Sequence, residues 1–158
     1  MLGLNRNADY ALRLMLDIGA HSGAVSTADI ARRQETPYQF LRKVARTLVR
    51  QGLLTSERGA RGGLRLARPA ESVTLLEIVS AFGPPSLNRC TVDPPRCDRR
   101  EVCGVFPVWA EAQREVERVL ARYTLSDVVS RQAILADSRA RTGRRKRVAT
   151  GRRRRLAS

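Results

Sequence analysis

The chain has 158 residues, 42% of them hydrophobic, which is enough for one packed core with appendages, and it lacks any apolar run of the roughly 18 residues that a membrane span requires. Asp9, Arg13 and Asp17 interrupt the first apolar stretch and exclude a signal peptide, so the cytoplasm is the expected location and a membrane is not an expected partner. Net charge is +15, distributed as +7 over residues 1–70, −2 over 71–137 and +10 over 138–158, the footprint of a protein that binds phosphates with one part and performs a different task with another.

In chain order, Ala11, Leu12, Met15 and Ile18 recur at three- and four-residue steps and predict a first helix over residues 8–20, ended by His21-Ser22-Gly23. His21, the only histidine, reads as a residue at the negative end of that helix's dipole rather than as a metal ligand. Ser26-Thr27-Ala28-Asp29 opens a second short helix with Ser26 as N-cap and Ile30 and Ala31 facing inward; the chain turns at residues 34–35. Thr36-Pro37-Tyr38-Gln39 combines an N-cap, a proline at the first helical position and a glutamine at the capping-box position. A third helix is therefore expected to run to Gly52, with Phe40, Leu41, Val44 and Leu48 as its apolar stripe.

Beyond Gly52 the period changes. Residues 53–57 and 64–67 read as two short strands around the glycine-rich turn Arg58-Gly59-Ala60-Arg61-Gly62-Gly63. Three helices followed by a basic hairpin is the order of a winged helix-turn-helix. Residues 73–82 form a further helix opened by Thr74 and stopped by Gly83-Pro84-Pro85. Residues 83–106 hold all three cysteines and no sustained periodicity, a long loop that needs something other than a core to order it. From Pro107 a long helix resumes, and Trp109, Ala112, Val116, Val119 and Tyr123 draw a narrow coiled-coil seam suited to pairing with a second copy or to packing within the chain. Thr124-Leu125-Ser126-Asp127 starts a last helix that is expected to end near Leu135.

The second helix of a helix-turn-helix enters the major groove of a duplex, which places Tyr38, Gln39, Arg42 and Lys43 against base edges. Gln39 cannot both close a capping box and read adenine, so Arg42 ranks above it. The alternative is that Arg42, Lys43, Arg46 and Arg50 form only a solvated charged face. Arg58 and Arg61 at a glycine-rich hairpin tip suit a minor groove or a pair of phosphates, which favours nucleic acid.

An odd number of thiols speaks against a disulfide framework, and the gaps of six and five residues between Cys90, Cys97 and Cys103 lack the tight pair of a zinc ribbon. Three thiolates on a proline-stiffened loop suit three irons of one cluster with the remaining ligand supplied from elsewhere. A regulatory disulfide with one spare thiol is the alternative.

Asp9-Tyr10-Ala11-Leu12-Arg13, then Arg61-Gly62-Gly63-Leu64-Arg65-Leu66-Ala67-Arg68, Thr74-Leu75-Leu76-Glu77-Ile78-Val79, the three cysteines and Arg122-Tyr123-Thr124-Leu125 together resemble the Rrf2 family of regulators across residues 1–135. Among its NsrR, IscR and RirA types the chain is most similar to the nitric-oxide-sensing NsrR type. The resemblance implies a homodimeric winged-helix repressor whose iron–sulfur cluster, 4Fe–4S or 2Fe–2S, is bound by Cys90, Cys97 and Cys103 and controls operator affinity. IscR-like members use a histidine shortly after the third cysteine as the remaining ligand, but here Gly104-Val105-Phe106-Pro107 follows. NsrR-like members use an aspartate of the first helix, donated by the other subunit, and Asp9 occupies the matching position. As an acid in the first turn of a helix, Asp9 also has a plain dipole role. The first cysteine gap is one residue longer than in typical NsrR and IscR proteins and shorter than in RirA-like ones, which leaves the signal open among nitric oxide, iron and redox state.

The expected protein is mainly α with a small β-hairpin wing. A winged helix-turn-helix DNA-binding domain spans 1–82, a cluster-binding cysteine loop 83–106 and dimerisation helices 107–137. A disordered basic tail, 138–158, adds sequence-independent affinity for DNA. The expected function is transcriptional regulation by a homodimer on a double-stranded operator, controlled by the cluster; no nucleophile–base constellation marks an enzyme. The rivals are a thiol-switch or cofactor-free DNA-binding regulator and, in a different class, a small iron–sulfur electron carrier, which would leave the basic N-terminal half without a task.

Overall fold

The computed structural model describes residues 5–57, 59, 62–88, 90–91 and 97–155, with side chains described as far as 141. Arg58 and Arg61, expected at the wing tip, lie outside the described residues. The elements are α1 (Arg6–Gly19), α2 (Thr27–Arg33), α3 (Tyr38–Arg50), β1 (Leu54–Glu57), β2 (Gly63–Leu66), α4 (Leu75–Ser80), α5 (Phe106–Arg122) and α6 (Leu125–Arg155), with 3-10 turns at Ala70–Ser72 and Arg100–Val102.

The helix α1 starts where the Asn5 side chain accepts the Asn7 N–H, and it buries Ala8, Ala11, Leu14, Met15 and Ile18. Leu14 joins the predicted stripe, and Leu12 is only half-buried. His21 follows the helix, and its Nδ1 donates to the Asp17 carbonyl at 2.6 Å, closing one of the orphan carbonyls of the last turn. The helix α2 opens on Ser26, whose hydroxyl accepts from the Ala28 N–H. It closes in a Schellman turn, with Thr36 N–H to Ala31 O at 2.9 Å, Glu35 N–H to Arg32 O at 3.3 Å, and Glu35 at φ 49. The end of α3 repeats the pattern with Leu53 N–H to Leu48 O and Gly52 N–H to Val49 O, Gly52 taking φ 69.

The capping box expected at Thr36 and Gln39 does not form. The turn points Thr36 inward, 7% exposed, and its hydroxyl donates back to the Gln34 carbonyl at 3.1 Å. Pro37 takes the N-cap position of α3 with no side-chain bond. Gln39 is exposed and its side chain makes no hydrogen bond among the described residues, so the conflict between capping and base reading disappears.

The core lies between α1, α2, α3, the wing and α4, with Leu14, Met15, Ile30, Leu41, Leu48 and Ile78 fully buried. Truncating one of these to alanine costs about 2–5 kcal/mol. Tyr10 of α1 meets Phe40 of α3 edge-on, ring centroids 4.9 Å apart. In the wing, β1 and β2 pair antiparallel from Leu54 with Leu66 to Glu57 with Gly63. The other edge of β2 is taken by Val25, which exchanges two 2.9 Å backbone hydrogen bonds with Leu64.

The chain returns to this core after α5. Thr74 and Glu77 form a capping box at the start of α4, and Thr124 and Asp127 exchange the same bonds at the start of α6. The two cap residues face each other in an antiparallel bridge, with Leu125 N–H to Val73 O at 2.8 Å and Leu75 N–H to Tyr123 O at 3.0 Å. Leu125 is fully buried in the winged-helix core, with Val128 and Val129 packed against it, and a Cβ added to Gly19 would lie 3.1 Å from Val129. Leu125, beyond the boundary expected at residue 82, thus completes the single expected core.

A second difference concerns the tail. The last helix, expected to end near Leu135 before a disordered tail, continues to Arg155. Its Arg, Lys and Ala residues are strong helix formers and no proline stops it, although residues 130–141 are exposed on every side.

Candidate DNA-binding face and cysteine hollow

The apolar stripe of α3 turns Leu41, Val44, Ala45 and Leu48 into the core, which leaves Tyr38, Gln39, Arg42, Lys43, Arg46 and Arg50 on the outer face. With Thr27 of α2 and Ser56 and Leu64 of the wing, most of them border a groove of about 680 Å³ that no acidic residue lines among the described residues. Elsewhere in residues 1–70 every described arginine but Arg6 is paired: Arg13 with Asp9, Arg32 with Asp29, Arg33 with Asp17, Arg65 with Glu57 and Arg68 with Glu77. Arg42, Lys43, Arg46 and Arg50 have no acidic partner among the described residues, and Arg50 bonds only the Thr47 hydroxyl. A merely solvated face would intersperse acids among its bases. A face of unpaired cations beside an exposed amide is complementary to phosphates and base edges.

Cys90, Cys97 and Cys103 are free, half-buried thiols that border one hollow of about 440 Å³, walled by Trp109 and Val105 and rimmed by Asn88, Asp98, Arg99 and Arg100. The Arg100 guanidinium lies 4.5 Å over the Phe106 ring, which anchors it beside the thiols. Among the described residues no three His, Cys, Asp or Glu side chains converge closely enough to hold a single metal ion. Thiols spread around a hollow suit a multi-iron cluster, which takes one thiolate at each of several corners.

Asp9 sits in the first turn of α1, half-exposed, with Oδ2 2.9 Å from Nη2 of Arg13, and is not among the residues lining the hollow of its own chain. Of the predicted seam on α5, Ala112 and Val116 are half-buried, Val119 is 45% exposed, and Tyr123 lies under the guanidinium groups of Arg122 and Arg131. Trp109 belongs to the hollow as well as to the seam. Sequence reasoning missed Arg99, Arg100 and Gln113 of α5. Gln113 is buried and bonds the backbone of Pro85 and Leu87, and its signal was available: it is the one uncharged polar residue in a helix whose other polar residues are all charged.

The family model for Rrf2, described as an iron-dependent transcriptional regulator, matches residues 4–131. The protein rrf2 of Nitratidesulfovibrio vulgaris (strain Hildenborough) is 35% identical over 129 residues, 80% of this chain and 86% of that protein. The transcriptional regulator IscR of Xenorhabdus nematophila is 30% identical over 140 residues, 84% of this chain and 82% of that one. Among solved structures, T. potens IscR aligns with a TM-score of 0.69 at 26% identity, covering 83% of this chain and 88% of that chain. CymR, the global cysteine regulator of B. subtilis, shares the fold with a TM-score of 0.68 at 24% identity, covering 82% and 98%. Extent of match, winged-helix architecture and the unpaired basic face agree, and the chain belongs to the Rrf2 family of transcriptional regulators, DNA-binding proteins and not enzymes.

Proposed function

We propose that this chain is a homodimeric repressor that holds an iron–sulfur cluster at Cys90, Cys97 and Cys103 and loses operator affinity when nitric oxide, oxidants or iron shortage alters that cluster. The observation that supports the cluster most is the hollow itself: three unbridged thiols from both ends of the loop border one space beside two guanidinium groups. When bound, the cluster supplies a reactive iron centre. The chain's own residues hold it through three thiolates, limit its contact with water through Trp109 and Val105, and offset its negative charge through Arg99 and Arg100. The remaining position is assigned to Asp9 of the partner subunit on the resemblance to NsrR-like members alone; Asp9 does not line the hollow of its own chain, and a carboxylate would be a harder, weaker iron ligand than a thiolate.

On the DNA side, Gln39 and Arg42 read bases, Tyr38 and Lys43 flank them, Arg46 and Arg50 meet phosphates, and Arg58 and Arg61 of the glycine-rich turn take the minor groove or a pair of phosphates. Trp109, Ala112, Val116, Val119 and Tyr123 form the seam against the second copy. Protein purified without oxygen is expected to be brown, with iron and sulfide present, and Cys97→Ala to be colourless. Arg42→Ala is expected to weaken operator binding by about 1–3 kcal/mol and to relax preference at one base position. A colourless, iron-free protein that still binds its operator would make the cysteines a thiol switch. A brown protein without duplex affinity would make the chain an electron carrier.

A further inference from the structure

Gln113 is 7% exposed and is the only buried residue of α5 among the described residues. Its amide faces the stem of the cysteine loop. Oε1 accepts the Leu87 N–H at 3.0 Å, while Nε2 donates to the Pro85 carbonyl and, at 2.7 Å, to Glu117 Oε1. A primary amide carries an acceptor and two donors in one plane, and here all three functions are used. It acts towards the stem as a neighbouring strand would, accepting from one residue and donating to the carbonyl two residues earlier.

Beyond the stem the chain closes into a turn that contains Cys90. The Ser86 hydroxyl donates to the Asn88 carbonyl at 2.8 Å, the Thr91 N–H and hydroxyl donate to the same carbonyl at 3.1 and 2.9 Å, and the Asn88 N–H donates to Thr91 Oγ1 at 3.2 Å. Cys97 and Cys103 belong to the other end of the loop. Arg100 N–H bonds the Cys97 carbonyl and Phe106 N–H bonds the Cys103 carbonyl at 3.0 Å, where α5 begins. Trp109, one turn before Gln113 on the same face of α5, walls the hollow between the two ends.

We infer that Gln113 is the positioning residue for Cys90: by clamping residues 85–87 to α5 it sets Cys90 opposite Cys97 and Cys103 and ties the loop to the helix that carries the dimer seam. The inference rests on the reading of the three cysteines as one ligand site. Cys103 is placed by the start of α5 and Cys97 by the 3-10 turn that leads into it, both through backbone bonds, so Cys90 is the ligand whose position depends on a side-chain contact.

Gln113→Glu keeps size and helix propensity but replaces both N–H donors with acceptors and sets a carboxylate against the Pro85 carbonyl and Glu117. In iron-free, full-length protein, alkylation with iodoacetamide followed by mass spectrometry reads each thiol separately. Cys90 is expected to react about tenfold faster in the variant, as the loss of the net worth of one or two hydrogen bonds allows, while Cys97 and Cys103 change less than about twofold and the thermal midpoint holds. Should that variant unfold more easily, Gln113→Ala, which leaves the same backbone groups to water without added charge, decides by the same ratio of rates. An unchanged Cys90 rate overturns the inference. A rise shared equally by all three thiols overturns it too, because Gln113 would then be a general packing residue. The labelling needs no cluster, so wild-type protein that takes up no iron and sulfide would defeat the cluster reading alone, and unchanged labelling in a protein that does load iron would defeat the role of Gln113 alone.

Discussion

Glu35 and Gly52 occupy equivalent places in two Schellman turns, at φ 49 and φ 69, and only one of them is the residue that such a backbone favours. A side chain in this conformation is disfavoured, so Glu35→Gly is expected to raise stability by up to about 1 kcal/mol, read from the urea midpoint, without moving α3. Gly63 presents the opposite case. A Cβ there would lie 2.6 Å from the Val25 carbonyl oxygen, and that oxygen is backbone engaged in the edge pairing of β2, so it cannot swing aside. Gly63→Ala is expected to cost about 1–3 kcal/mol and to weaken DNA binding by displacing the wing; a variant with wild-type stability would show that Val25 yields freely.

The helices α4 and α6 begin side by side with matching Thr-to-acid caps. Partial burial pushes the Glu77 carboxyl up, but the Thr74 N–H, the Arg68 guanidinium and the Thr74 hydroxyl outweigh it and hold the group below its ordinary range. The Thr124 N–H, then its hydroxyl, hold the exposed Asp127 carboxyl low. Carboxylates whose pKa is lowered in the folded state stabilise it above their unfolded pKa, and that stability is lost as pH falls through the folded value. The thermal midpoint is therefore expected to be level between about pH 5 and 7 and to fall below about pH 4. Thr74→Ala is expected to cost about 1 kcal/mol and to make the acid decline shallower. A decline of unchanged depth in that variant would place its origin in other carboxylates.

One chain leaves apolar surface open on its C-terminal helices: Val108 is 62% exposed and Val119 45% on α5, and Ile134 is 66% and Leu135 63% exposed on α6. A second copy of the same surface would cover such residues. Val116→Glu is expected to shift the protein towards monomer in sedimentation and to weaken binding to a two-fold symmetric operator. A variant that sediments as wild type would make the seam an internal packing face. The segment 138–158 carries +10 of the net charge. Its removal is expected to lower affinity for every duplex and to flatten the salt dependence, while the ratio of operator to random DNA stays constant. A lost ratio would mean that the tail reads sequence.

The amino-acid sequence by itself determined what depends on neighbours a few residues away. The stripes of α1 and α3, the Ser26 and Thr74 caps, the hairpin, the confinement of three thiols to one loop and the basic character of α3 all follow from residue type and local spacing. Tertiary structure alone decided where those pieces met. Leu125 joined the N-terminal core, Trp109 became a wall of the cysteine hollow, and Gln113 reached carbonyl and N–H groups 28 and 26 residues earlier in the chain. Even the strongest support for the DNA face, the lack of acidic partners for Arg42, Lys43 and Arg46, is a property of folded surfaces. A periodic pattern states that one face is buried, but the partner of that face and of each polar group it carries is set only when distant segments pack together.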